Sequence, residues 1–282
     1  MNTPMEPEIL AALEQAGIEP RSFVRISNLR PADTGRCTYR IDHDRGTVKA
    51  RRLEDEATAR DLAAFRSELP DAFAPVIFRQ GRVLIESWID GEALPDVPEP
   101  HHLATAGGLL GELHATSRLG DRMLHEVRST ADHRLLAQKR LRLVVAAGAL
   151  GEEEAARLER ALERRDPLRA TFGLVHLDFC GENMVIDRTG RLRVVDNDRL
   201  RLDALGYDLA RTWYRWALPA PEWEAFCLAY SSRLPFPSSL DSLHFWKITA
   251  AAQSAELRLH AYPEKACVPV RFLRALAAED TV

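Results

Sequence analysis

A chain of 282 residues, 46% apolar and 28% charged, has an ordinary globular composition and is long enough for one large domain or two lobes sharing an interface. A formal net charge of −4 leaves no basic footprint for nucleic acid, and no apolar run approaches the roughly eighteen residues of a membrane span. The opening Met1-Asn-Thr-Pro-Met-Glu-Pro7 has neither a basic nor an apolar leader region, so a cytoplasmic setting is expected.

Cys37, Cys180, Cys227 and Cys267 stand far apart without a C-x-x-C pair, so neither a zinc site nor a disulfide framework is suggested. Cys180 reads as a packed thiol. The pairs Arg51-Arg52 and Arg164-Arg165 read as solvated faces.

Residues 6–16 have the pattern of a short amphipathic helix. From Ser22 the pattern becomes strand-like: Phe23 to Ser27, Cys37 to Asp42 and Thr47 to Arg51, with His43-Asp-Arg-Gly46 as a hairpin turn. Glu54 to Glu68 is helical and ends at Leu69-Pro70. Pro75 to Phe78 and Arg82 to Trp88 are two further strands, giving about five strands in the first ninety residues. Ile89 to Pro95 is a connector rich in turn residues, and the chain beyond it is mainly helical. Predicted helices run over 103–117, 135–147 and 152–164, with more from Tyr207 onward. Between them lie two short strands, Asn183 to Asp187 and Arg191 to Asp196, joined at Arg188-Thr-Gly190. The predicted architecture is α+β and bilobal. A small β-rich lobe over 1–88 would bind nucleotide, and a larger α-helical lobe over 89–282 would hold the catalytic hairpin and the substrate.

Leu174 to Asp187, followed by Leu192 to Asp198, is the segment richest in chemistry. It sets His176, Asp178 and Asn183 in an H-x-D-x-x-x-x-N frame, with Asp196 thirteen residues beyond Asn183. Phosphoryl transfer from ATP needs such groups: one carboxylate to orient and deprotonate a hydroxyl, an amide and a second carboxylate to hold Mg²⁺. Asp178 is the candidate catalytic base, and Asn183 and Asp196 are the candidate metal ligands. Mg²⁺ is satisfied by one or two carboxylates together with phosphate oxygens and water. Lys49, in Thr47-Val-Lys-Ala-Arg, is the candidate phosphate contact, with Arg51 as its rival. Its partner is expected on the following helix, where Glu56 and Asp61 both qualify. Asn28 to Arg36 sits where a phosphate-covering turn belongs, with Gly35 as its one glycine and Arg30 and Arg36 as basic residues. No Walker A sequence occurs anywhere.

These motifs resemble the aminoglycoside phosphotransferase and choline kinase-like superfamily, kinase-fold enzymes acting mostly on small molecules. That family reads H-G-D-x-x-x-x-N, then an apolar strand ending in I-D-W/F-E/D, then D-L-A. This chain reads His176-Leu-Asp178, Asn183, Val195-Asp-Asn-Asp198 and Tyr207-Asp-Leu-Ala210. Leu84 to Gly91 resembles the family's hinge, which implies that Glu86 and Trp88 serve nucleotide binding, and Leu109 to Ala115 resembles its L-x-x-L-H helix. The resemblance covers roughly residues 20–215 and implies that Asp208 braces the catalytic loop. Leu177 replaces the usual glycine and Asn197 the usual aromatic. Asp198 stands open between a metal role and a turn.

Arg211 and Arg215, four apart, are candidates for an anionic substrate or for a salt bridge to the loop. The aromatic residues beyond Trp213 read as core packing, with a box for a quaternary amine as the rival. The expected function is ATP- and Mg²⁺-dependent phosphorylation of a small-molecule hydroxyl. Its rivals are a non-catalytic nucleotide-binding regulator and a kinase for macromolecules.

Overall fold

The computed structural model describes residues 4–26, 36–67, 69, 71–116, 128–167, 170–234 and 242–279. Most of the phosphate-covering turn expected at 28–36, including Arg30 and Gly35, lies outside them; Arg36 lies within. The chain divides into two compact units, one of residues 1–96 with 182–198, the other of residues 97–181 with 199–282.

The first unit is built on a five-stranded antiparallel sheet. Its strands are β1 (Ser22–Arg25), β2 (Cys37–His43), β3 (Gly46–Arg52), β4 (Val76–Gln80) and β5 (Val83–Ser87), ordered β1-β2-β3-β5-β4. Side chains alternate across a strand. Tyr39 and Ile41 of β2, Val48 and Ala50 of β3, and Val83 and Ile85 of β5 therefore share one face. They pack there against Ile9, Ala12 and Leu13 of helix α1 (Pro7–Gln15). The opposite face receives the intervening residues, Lys49 and Arg51 of β3 and Leu84 and Glu86 of β5. Register sets Lys49 opposite Glu86 and Arg51 opposite Leu84. Helix α2 (Glu56–Ser67) follows β3 and buries Ala59, Leu62, Phe65 and Arg66.

A second, three-stranded sheet completes this unit: β6 (Gly91–Ala93), β8 (Met184–Asp187) and β9 (Leu192–Val194), ordered β6-β8-β9. The β8–β9 hairpin turns where Asp187 Oδ1 accepts from the backbone N–H groups of Thr189 and Arg191 at 2.8 and 3.0 Å, with Gly190 at φ +79. Val194 N–H donates to Ala72 O at 3.0 Å, and the Arg193 guanidinium donates to Phe73 O at 2.8 Å. These bonds stitch the hairpin to the segment after α2.

The second unit holds helices α3 (Pro100–Ala115), α4 (Thr130–Ala146), α5 (Glu152–Arg164), α6 (Leu205–Trp216), α7 (Ala220–Arg233), α8 (Leu243–Ala261) and α9 (Cys267–Glu279), with an antiparallel pair β7 (Phe172–Val175) and β10 (Arg201–Ala204). Leu141, Leu158, Leu205, Trp246, Ala251 and Leu273 belong to its core. Ser129 and Asp132 close a capping box at the start of α4. Helices α3 and α7 approach closely because Gly107 has no side chain; a Cβ there would lie 2.2 Å from Phe226 O. The aromatic residues pack on one another: Trp223 stacks on Phe226 at 5.3 Å, and Trp213 meets Phe272 edge-on at 4.9 Å. No helix among the described residues is long and apolar enough to cross a membrane.

Candidate active site

In the first unit, three of the predicted residues gather around Val195. Lys49 Nζ donates to Val195 O at 3.2 Å. Val195 N–H donates to Asn183 O at 2.9 Å, so Asn183 and Asp196 lie at the same end of the β8–β9 hairpin. Asp196 is exposed and makes no hydrogen bond or ion pair among the described residues. Its negative charge nevertheless acts on Lys49, Arg51 and Arg66. Burial, then the charges of Arg51 and Arg66, pulls the Lys49 ammonium well below its usual range, while Asp196 pulls it back. A polyphosphate beside Lys49 would favour its charged form in the same way.

Lys49 faces Glu86, Nζ to Oε1 3.5 Å, across the β3–β5 register. This corrects the expectation of a partner on the helix. Glu56 opens α2 with its side chain exposed, 3.5 Å from Arg79 on β4, and Asp61 pairs with Arg60. The helix instead contributes a cation. Arg66, in its last turn, is buried and contacts Glu86 Oε2, while Arg51 Nη2 reaches Glu86 Oε1 at 2.5 Å. Glu86 is 1% exposed and serves three cations. Arg51 is not part of a solvated face; it is fully buried, and burial holds its guanidinium down at about 10. Its other Nη meets the Asp198 carboxylate. Trp88, just beyond β5, donates its N–H to Thr47 O at 3.2 Å, and the Arg40 guanidinium lies 5.2 Å from its ring.

In the second unit, Asp178 follows β7 on a loop held by Asp208. The Asp208 carboxylate is 0% exposed and accepts from the N–H groups of His176 and Leu177, each at 2.7 Å. His114 Nε2 lies 3.0 Å from the same carboxylate, and His114 Nδ1 lies 2.9 Å from the Tyr230 hydroxyl. Leu177 has φ +64, the left-handed region that a bulky side chain enters at a cost of about 1–2 kcal/mol. This is the position where the resembling sequences carry glycine. Two backbone bonds to a buried carboxylate hold the leucine there.

Arg215 Nε donates to Asp178 Oδ1 at 2.9 Å, and Arg211 Nε donates to Leu177 O at 2.5 Å. Of the two readings open for these arginines, both bind the loop. The sequence offered a salt bridge to the loop for Arg215 without naming Asp178 as its partner, and it did not signal the buried Arg66 or the role of Tyr230. Only the L-x-x-L-H motif pointed toward His114. Cys180 is buried, as its packed reading expected.

Burial by itself raises the Asp208 carboxyl, but the hydrogen bond and charge of His114, and then His176, bring it below its ordinary value. An unfolded aspartate titrates near about 3.9. The Asp208 contribution to stability is therefore complete above that pH and is lost as pH falls through the lower folded value. Asp208→Asn should lower stability at pH 7 by about 1–3 kcal/mol, because an amide N–H₂ then faces a backbone donor. The difference from the parent protein should shrink as pH falls below the unfolded value and the parent's carboxyl becomes protonated. Urea unfolding between pH 3 and 7 measures both effects.

The donor chemistry fits Mg²⁺. Among the described residues, no group of three or more His, Cys, Asp or Glu could hold a metal alone. An amide and an exposed carboxylate at one hairpin end are the sparse, hard-oxygen set that Mg²⁺ shares with phosphate and water.

The family model described as the phosphotransferase enzyme family matches residues 33–246. The fold is similar to that of choline kinase LicA from Streptococcus pneumoniae, with a TM-score of 0.71 at 12% identity over 96% of this chain and 98% of that one. It is also similar to an aminoglycoside phosphotransferase from Alicyclobacillus acidocaldarius, with a TM-score of 0.64 at 16% identity over 99% and 98%. Macrolide 2'-phosphotransferase MphH from Brachybacterium faecium gives a TM-score of 0.64 at 15% identity over 95% and 96%. At these identities the structures establish the kinase-like α+β fold alone. No curated protein matches the chain closely enough to count as a relative. The match of the family model over most of the chain shows that it belongs to the phosphotransferase enzyme family.

Proposed function

We propose that this protein is an ATP- and Mg²⁺-dependent O-phosphotransferase that acts on the hydroxyl of a small molecule. The observation that supports this most is the gathering of Lys49, Asn183 and Asp196 around Val195. Family membership supports phosphoryl transfer, and the solved complex of LicA with AMP supports use of an adenine nucleotide.

In this reading Lys49 contacts the α- and β-phosphates, and Asn183 and Asp196 hold the metal. When bound there, Mg²⁺ would supply charge neutralisation for the phosphoryl transfer. Arg51 is unsuited to the phosphate role because Glu86 and Asp198 already occupy it. Asp178 orients the acceptor hydroxyl and takes its proton, while Arg215 fixes the carboxylate's rotamer. Most of the rate comes from positioning, since no covalent bond to the enzyme is needed.

The test is release of ADP by purified protein with ATP, Mg²⁺ and a panel of aminoglycosides, amino alcohols, sugars and hydroxy amino acids. At least one acceptor class should stimulate release well above the water background, and EDTA should abolish it. Release unchanged by every acceptor, or insensitive to EDTA, would contradict the proposal.

A further inference from the structure

Asp196 sits in a segment that is pinned on both sides of it. Before it, Lys49 Nζ holds Val195 O at 3.2 Å. After it, the buried Asn197 amide donates to Val194 O at 3.2 Å, and the Asp198 carboxylate meets Arg51 Nη1. Arg36 Nη2 adds a long contact to Asp198 O at 3.5 Å. Arg51 is anchored in turn by Glu86 at 2.5 Å.

We propose that Arg51 and Asp198 form a positioning pair, in which the buried guanidinium pins Asp198 and leaves Asp196 as the one carboxylate the segment offers to a metal–nucleotide. The proposal rests on the reading of Asp196 as a metal ligand. If Asp198 Oδ1 turned to a metal, it would abandon a buried cation. Arg51 would then share Glu86 with Arg66 and Lys49 and have no carboxylate of its own. An uncompensated buried charge of this kind is strongly unfavourable. Arginine suits the task because its fork spans two carboxylates at once, Glu86 on β5 and Asp198 after β9.

The experiment combines amide hydrogen exchange over residues 193–200 with titration of ATP in Mg²⁺ and in EDTA. It compares the parent protein, Asp198→Asn, Arg51→Lys and the double variant. Asp198→Asn should raise exchange at residues 196–199 about tenfold or more. It should weaken Mg–ATP binding by about 10–100-fold, the range for groups that support a metal ligand, and leave ATP binding in EDTA unchanged. Arg51→Lys should fall between the parent and Asp198→Asn, and the double variant should be no worse than Asp198→Asn, since the two side chains act as one unit. Unchanged exchange in Asp198→Asn would overturn the proposal. Loss of Mg–ATP binding without a change in exchange would also overturn it, because Asp198 would then be a metal ligand itself. Raised exchange in a protein whose parent form binds no Mg–ATP would uphold the pinning and refute the proposed function instead.

Discussion

Asp178→Asn is expected to reduce turnover by about 10²–10⁴-fold while ATP still binds. The groups assigned to nucleotide and metal are Lys49, Asn183 and Asp196, and the bonds that gather them run to the Val195 backbone. The variant keeps an oxygen for the Arg215 N–H but loses the charge and the ability to take a proton. Its loop is held from below by Asp208 through His176 and Leu177, so the backbone should stay in place. Acceptor-stimulated ADP release and an ATP titration on the same preparation separate the two effects. Full activity would remove Asp178 from the chemistry, and loss of ATP binding would move it into the nucleotide site.

The largest effect on stability is expected at Glu86. One buried carboxylate faces Lys49, Arg51 and Arg66, and the two guanidinium groups are themselves buried. Replacing Glu86 by alanine leaves Arg66 without the contact made by its Nη1 and Arg51 with Asp198 alone. Removing one partner from a buried ion cluster costs about 3–5 kcal/mol. Urea unfolding of Glu86→Ala at pH 7 should show a loss of that size. A loss below about 1 kcal/mol would mean that the cluster is solvated. This cluster also sets the surroundings of Lys49. Catalytic and stability effects therefore coincide at Glu86 and separate at Asp178.

The parts of this architecture that were legible in the sequence are those with local signals. The five strands of the first sheet are short runs of four to seven residues, and turn residues separate them. The β8–β9 hairpin carried Arg188-Thr-Gly190 at its bend, and Asp196 falls just past its last strand. Helix α5 was readable to its ends, because three glutamates open it and Arg164 closes it. The strands that escaped notice are short and paired at long range. β6 has three residues, all exposed, within a connector rich in turn residues. β7 and β10 pair across some thirty residues of chain, Leu174 opposite Leu202, which no local pattern announces.

At the candidate site the same division holds. The polar groups of the hairpin could be read from their spacing, but their supporting partners could not. A basic residue in the last turn of a helix is expected in water, yet Arg66 is buried against Glu86. Arg51 read as half of a surface pair for the same reason. Only the β3–β5 register reveals that Lys49 and Glu86 are opposed. The substitution of leucine for glycine at 177 was visible in the sequence. Its meaning was not, because the left-handed backbone and the two N–H bonds to Asp208 appear only in the folded chain.

The most direct test of the account is calorimetric titration of ATP into the parent protein and into Asp196→Ala, each with Mg²⁺ and with EDTA. The parent should bind ATP distinctly more tightly with Mg²⁺, and Asp196→Ala should lose that metal-dependent increment while keeping the weak binding seen in EDTA. Equal affinity with and without Mg²⁺ in the parent, or an increment that survives in Asp196→Ala, would contradict the assignment of Asp196, and with it the metal–nucleotide site around Val195.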